Sequence, residues 1–306
     1  MHPATSRLPA VRAFATDEPA ATAQGEFPRR ATYTALMKPP ARVNPMSCAP
    51  PASLADAIVR IWGVEQLAPT HAGLPDGCVD ILVTLSPRPG AFVIGAMSRA
   101  TVIDRPPGHH VVGLSLQPGV ASAVLGCASS QLTDEMVDLG DVIGRSAPAL
   151  VDRIQRAEAF DARARVLQSF VQERLATARP GAQQLPLVRS AIDAIRSSEG
   201  TVSIAALARN QGCTTRVMER AFDRQVGLSP KLFSRIVRFH AAVRALRSGR
   251  RMTDVAYSLG FADQAHFIRD FSSLAGHTPR EFIAQFDLTH FFNTEPSPPS
   301  NLVAKP

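Results

Sequence analysis

Little in this sequence would support catalysis, secretion or a bound metal. Its 306 residues hold four cysteines, Cys48, Cys78, Cys127 and Cys213. No two of them form a C-x2-C pair, which excludes a zinc ribbon and leaves no disulfide framework. Scattered thiols of this kind read as reduced, so a cytoplasmic location is expected. No apolar run approaches the roughly 20 residues a membrane-spanning helix needs, and no membrane partner is expected. The Met1 end lacks a continuous apolar stretch and so is not a secretory signal. G-x-S-x-G, Walker and HExxH motifs are all absent, so nothing supports an enzyme. Asp76, Cys78 and Asp80, with His71, His109 and His110 near them in sequence, are the one set from which a divalent site can be drawn. A cupin-type H-x-H followed by glutamate is missing. Cys78 and Asp80 alternate with Val79 and Ile81 as on any half-buried strand, and Asp76-Gly77 is turn chemistry. No metal, cofactor or catalytic residue is therefore expected.

What the chain does have is unevenly placed charge. The net charge is +7. Residues 182–290 hold 15 Lys and Arg against 9 Asp and Glu, whereas residues 1–181 hold 17 against 16. The excess therefore sits in the last third. Such a concentration suits phosphate neutralisation and predicts salt-sensitive binding.

In chain order, residues 1–51 carry nine prolines and no apolar periodicity, the composition of a disordered extension. From residue 52 to 181 the texture is that of a β-rich sensor or dimerisation-like domain. Five short β-branched segments, "AIVRIWGVEQL", "LPDGCVDILVTL", "AFVIGAM", "ATVID" and "HVVGLSLQPG", are each bounded by Pro or Gly. They predict an antiparallel sheet or small barrel. Helical patterns follow at residues 120–127, 150–159 and 161–178, ending at Arg179-Pro180-Gly181. Asp134, Glu135, Asp138 and Asp141 fall on helix-like spacing and read as a solvated face or as a dock for the basic region. Residues 182–290 read as an all-α DNA-binding domain, and 291–306 as a disordered tail. The fold class expected is α+β.

The last third says one thing twice. Ala208-x3-Gly212, Met218-x-Arg220-x-Phe222 and Gly227-x-Ser229-Pro230-x2-Phe233 recur as Ala256-x3-Gly260, Phe267-x-Arg269-x-Phe271 and Gly276-x-Thr278-Pro279-x2-Phe282. Two similar helical units side by side are implied. Each has helix-turn-helix grammar. Gly212 and Gly260 stand where a first helix must end in a left-handed residue. Thr214 or Thr215, and Asp263, can cap the helix that follows. Met218 with Phe222, and Phe267 with Phe271, face inward. Arg216, Glu219 and Arg220 are left outside in the first unit, and Gln264, His266 and Arg269 in the second. Arginine and amide side chains near a helix start suit base edges in a major groove.

The second unit, "DVAYSLGFADQAHFIRDFSSLAGHTPREF", follows the signature of AraC/XylS-type transcription regulators almost throughout. The resemblance covers residues 185–286. It implies two recognition helices in successive major-groove segments of double-stranded DNA, joined by a linker helix over about residues 230–248. By position, the DNA-binding residues it implies are Thr215, Arg216, Glu219, Arg220, Asp263, Gln264, His266 and Arg269. "LPDGCVDILV", "VIGAM" and "LTDEMVDLGDVIG" resemble an uncharacterised N-terminal domain found in such regulators. That resemblance implies a sensor or dimerisation module, hence a small-molecule effector, a homodimer and, for an activator, RNA polymerase as partners. Two other readings stay open: a metal-dependent enzyme in the N-terminal half targeted to DNA, and a constitutive architectural DNA binder.

Overall fold

The structure, a computed structural model, describes residues 45–65, 70–104, 110–178 and 186–285. Residues 1–44, the stop at 179–181 and the tail 291–306 lie outside the described residues. The fold is α+β: an antiparallel sheet with helices on one face, then a helical region.

Among the described residues eight strands are formed: β1 (Pro45–Cys48), β2 (Ile58–Val64), β3 (Thr70–Gly73), β4 (Val79–Ser86), β5 (Gly90–Ile94), β6 (Thr101–Asp104), β7 (His110–Leu116) and β8 (Met136–Asp138). Six of them make a sheet in the order β1-β2-β7-β4-β5-β8, and β3 pairs with β6 in a second, two-stranded sheet. All five expected strands are present. β1, β3 and β8 were not anticipated. β3 and β8 are only four and three residues long, too short for an alternation to show. β1 lies inside the expected extension, whose bound at residue 51 therefore falls too late. Its Met46-Ser47-Cys48 pairs with Ile61 to Gly63 through the main chain, a source of order that composition does not display.

One row of side chains runs across five strands in register: Ile61, Leu114, Ile81, Val93 and Val137. Each is at most 1% exposed, because β-branched and leucine side chains at matched positions pack side by side on the pleat. Helix α1 (Ala121–Leu125) follows β7, and α2 (Leu139–Ile143), α3 (Ser146–Arg156) and α4 (Phe160–Ala176) follow β8. Leu150 and Ile154 of α3, and Leu167, Phe170 and Val171 of α4, are buried in the same core as that row. The opposite face of the sheet carries a small cluster of Leu82, Val111, Trp62 and Val64. Trp62 lies flat over Gly113, where a Cβ would sit 2.8 Å from the indole.

The acidic run is not one helical face. Asp134 has φ +60°, Asp138 ends β8, and its carboxylate caps α2 by accepting from the Gly140 N–H at 2.7 Å. Asp134 accepts from the Ser98 N–H and hydroxyl, each at 2.7 Å. These acidic side chains bind backbone donors, Asp138 a local one and Asp134 one 36 residues away, instead of continuing a helix.

The helical region holds α5 (Pro186–Ser197), α6 (Ile204–Asn210), α7 (Thr215–Gln225), α8 (Pro230–Arg247), α9 (Met252–Ser258), α10 (Gln264–Ala275) and α11 (Pro279–Gln285). Its apolar side chains join those of the sheet in one continuous core. The turn before β4 seats on α8. Gly77 has φ +77°, and a Cβ there would meet the Phe233 ring at 2.6 Å. Next to it, His240 Nε2 donates to the Pro75 carbonyl at 2.8 Å. Burial holds the His240 imidazole below its usual 6.5, against the opposing pull of the Pro75 carbonyl and Asp76, while Arg244 acts with burial. The folded state therefore resists protonation at this ring. Its contribution to stability is complete above about pH 6.5 and is lost as pH falls below that. The urea midpoint should drop between pH 7.5 and 5.5, and drop less in His240→Gln, which keeps an N–H donor. Equal losses in the two proteins would remove His240 as the source.

Candidate DNA-reading helices

Each candidate reading helix is started by a cap that the sequence encodes. In the first unit Gly212 takes φ +64°, and Thr214 Oγ1 accepts from the Val217 N–H at 3.3 Å. In the second unit Gly260 takes φ +71°, and Asp263 Oδ1 accepts from the His266 N–H at 2.6 Å. The glycines end the preceding helices without a Cβ penalty and the caps satisfy donors the next helix leaves open. Thr214, not Thr215, is the cap, so Thr215 is the first residue of α7. Asp263→Ala is expected to destabilise the second unit by about 0.5–2 kcal/mol, read as a urea-melt shift. No change in the melt would deny the cap any weight.

The inward faces repeat as well. Met218, Phe222 and Phe233 are buried in the first unit, and Phe267, Phe271 and Phe282 in the second. Phe222 meets Phe233 with ring centroids 6.1 Å apart, and its counterpart Phe271 meets Phe282 at 5.4 Å. Phe239 of α8 adds a third ring in the second unit, 4.8 Å from Phe271. Helix α8 ties the units to each other and to their surroundings. Arg235 Nε donates to Asp270 Oδ1 at 2.7 Å and a second guanidinium nitrogen donates to the Ser273 hydroxyl at 2.7 Å. Arg238 donates to the Gly200 carbonyl at 2.7 Å and lies over the Phe261 ring. Gly200 has φ +77°, and a side chain there would overlap the Ser234 carbonyl. The linker expected at 230–248 is thus a helix over Pro230–Arg247.

All eight residues singled out from the sequence are exposed: Thr215, Arg216, Glu219 and Arg220 on α7, Gln264, His266 and Arg269 on α10, and Asp263 at its cap. They divide into two sets, one per unit. Gln264 Nε2 reaches Met252 Sδ at 3.4 Å and the His266 ring stands edge-on to Phe261 at 5.3 Å, so one is partly positioned by the helix before and the other by the turn between. Sequence reasoning missed two features. Val217, on the exposed side of α7, is 39% exposed, an apolar group among polar neighbours. A cleft of about 680 Å³ also opens between the units, lined among others by Lys231, Arg235, Arg238, His266 and Asp270. Its basic side comes from α8, and the i, i+4, i+7 spacing of Lys231, Arg235 and Arg238 is the signal that was there to be read.

Comparison with known proteins agrees with this geometry. A family described as a helix-turn-helix domain matches residues 207–285, and one described as a domain of unknown function (DUF6597) matches residues 46–138. The transcriptional activator RhaR of Yersinia pseudotuberculosis is 30% identical over 108 residues, covering 35% of this chain and 37% of RhaR. The chain thus spans little more than a third of the curated relatives it matches. Among solved structures, a probable AraC family transcriptional regulator from Rhodopseudomonas palustris is 30% identical over 33% of this chain and 96% of its own, with a TM-score of 0.30. ToxT from Vibrio cholerae is 10% identical over 79% of this chain and 99% of its own, with a TM-score of 0.41. Among the described residues no helix is long and apolar enough to cross a membrane. Residues 207–285 are thus a helix-turn-helix domain similar to that of AraC-type regulators, with a domain of unknown function over residues 46–138 ahead of it.

Proposed function

We propose that the protein is a sequence-specific, DNA-binding transcription regulator of the cytoplasm that reads two successive major-groove segments with α7 and α10. The observation that carries this is the pairing of two capped helices, each presenting an exposed arginine at the same position of a repeated unit, Arg220 and Arg269. The concentration of positive charge in the same region supplies the phosphate-neutralising part of the affinity. Arg216, Glu219, Gln264 and His266 complete the base-facing set, while Thr215 and Asp263 border it at the helix starts. The N-terminal half serves as a sensor, taking a small-molecule effector or a second copy of the chain. Support for an effector comes from the sheet face opposite the core. There Trp62 Nε1 and Ser115 Oγ are buried without a hydrogen-bond partner among the described residues, and buried polar atoms of that kind are ordinarily satisfied. Regulation by activation would bring RNA polymerase in as a partner.

Selection from a randomised duplex library with the full-length protein tests the reading. Two short preferred blocks with centres about 10 base pairs apart are expected, one per reading helix. A library that gains no preferred sequence after several rounds would sink it.

A further inference from the structure

The N-terminal half touches both reading helices at the ends that point away from their caps. The last carbonyls of a helix have no partner within it. In α7 that carbonyl is Gln225, and it accepts from the Ser129 hydroxyl at 2.7 Å in a buried contact. Two residues on, the Gly227 carbonyl accepts from the Thr133 hydroxyl at 2.6 Å. Gly227 has φ +82°, and a Cβ there would come within 2.7 Å of Thr133 Oγ1. In α10 the corresponding carbonyl is Leu274, which accepts from the Ala100 N–H at 2.7 Å.

These contacts come from two segments that are themselves bound together. The Gly95 N–H donates to the Glu135 carbonyl at 2.9 Å, and the Asp134 N–H donates to the Ala96 carbonyl at 3.2 Å. Asp134 also holds Ser98 through two 2.7 Å hydrogen bonds. A methyl group at Gly95 would overlap the Leu132 carbonyl. Residues 95–100, at the exit of β5, and residues 129–135, before β8, are therefore one piece. One arm of it ends on α7 and the other on α10.

We propose that this piece is a bracket that fixes the separation and tilt of the two reading helices, and so determines the spacing of half-sites the protein accepts. Ser129, Thr133 and the Ala100 N–H are positioning groups. They lie on the far side of each helix from the base-facing residues, which stay exposed. One base pair inserted between two half-sites rotates the second by about 34° about the duplex axis. A bracketed pair of helices cannot follow that rotation, and a pair without the bracket, still tied by α8 and the shared core, can follow it further.

This inference rests on the DNA reading above, and the test separates the two. The full-length protein and a Ser129→Ala/Thr133→Val double variant are titrated against the selected duplex and against versions with one base pair added or removed between the blocks. The wild type should lose at least about tenfold in affinity on insertion, and the double variant no more than about threefold. Thr133→Ser, which keeps the hydroxyl, should behave as wild type. Amide exchange in the last turn of α7, measured without DNA, should accelerate about tenfold or more in the double variant and stay unchanged in Thr133→Ser. Equal spacing penalties in wild type and double variant, or unchanged exchange, would overturn the bracket while leaving the reading intact. If the wild type prefers no sequence, the reading itself fails and the spacing claim falls with it.

Discussion

Arg269→Ala is expected to lower affinity for the selected duplex by about 1–3 kcal/mol and to erase the preference at one base pair, leaving the other positions as they were. The expectation follows from position. Arg269 lies on α10 one turn beyond Gln264 and His266, on its exposed side. In the proposed reading a guanidinium there would meet a guanine edge with two parallel hydrogen bonds, a geometry lysine does not reproduce. Arg220→Ala should act in the same way in the other block, because α7 repeats the arrangement. The two losses should add within about 0.5 kcal/mol, since the helices share no base pair. A loss spread evenly over all sequences, with a salt slope smaller by about one, would instead assign the arginine to a phosphate.

The second large effect concerns stability. Phe271→Ala should cost about 3–5 kcal/mol, the range for deleting a buried aromatic ring. Phe271 is 1% exposed and meets Phe239, Phe282 and Phe267 at centroid separations of 4.8, 5.4 and 5.8 Å. Removing it leaves a cavity bordered by three rings that cannot close on it together. Phe271→Leu retains most of the volume and should cost under about half as much. Denaturant melts of the full-length chain measure both. A Phe271→Ala protein that melts like the wild type would mean that the second unit's core does not carry its stability.

The helical region was the more legible part of the sequence, and the reason is local. A glycine at the end of one helix and an oxygen side chain at the start of the next write a turn into three or four residues. That is why Gly212 with the threonine pair after it, and Gly260-x2-Asp263, mark the starts of α7 and α10, whereas the linker α8 was expected from the resemblance. The exposed residues then follow from the 3.6-residue period. In the N-terminal half, the longer strands showed themselves by β-branched runs. Pro45–Cys48 did not, because its order comes from pairing with β2 and not from its own side chains. The acidic run was misread for a related reason: spacing alone does not say whether Asp134 spends its carboxylate on Ser98 or on water. Least legible was the seam between sheet and reading helices. Its acceptors are backbone carbonyls, of Gln225, Gly227 and Leu274, and its partners stand 96 and 94 residues away in the two side-chain cases. Every residue has such a carbonyl, so no residue type marks the contact.

The same seam is the route by which the proposed sensor half would act on the helical half. The tandem units stand against the N-terminal half through one apolar core, the His240–Pro75 contact and the bracket. Any ligand that altered the β5 exit would therefore be felt at the ends of both reading helices.

The central claim, that two helices of one chain read two segments of one duplex, is tested most directly by a protection footprint of the full-length protein on its selected site at two salt concentrations. Two protected major-groove segments, with centres about 10 base pairs apart on one face of the duplex, should be seen at both salts, and the one assigned to α10 should weaken more in Arg269→Ala. Protection that ignores sequence, fades uniformly with salt and is unaltered by Arg269→Ala would contradict the account and reduce the repeat to an electrostatic anchor.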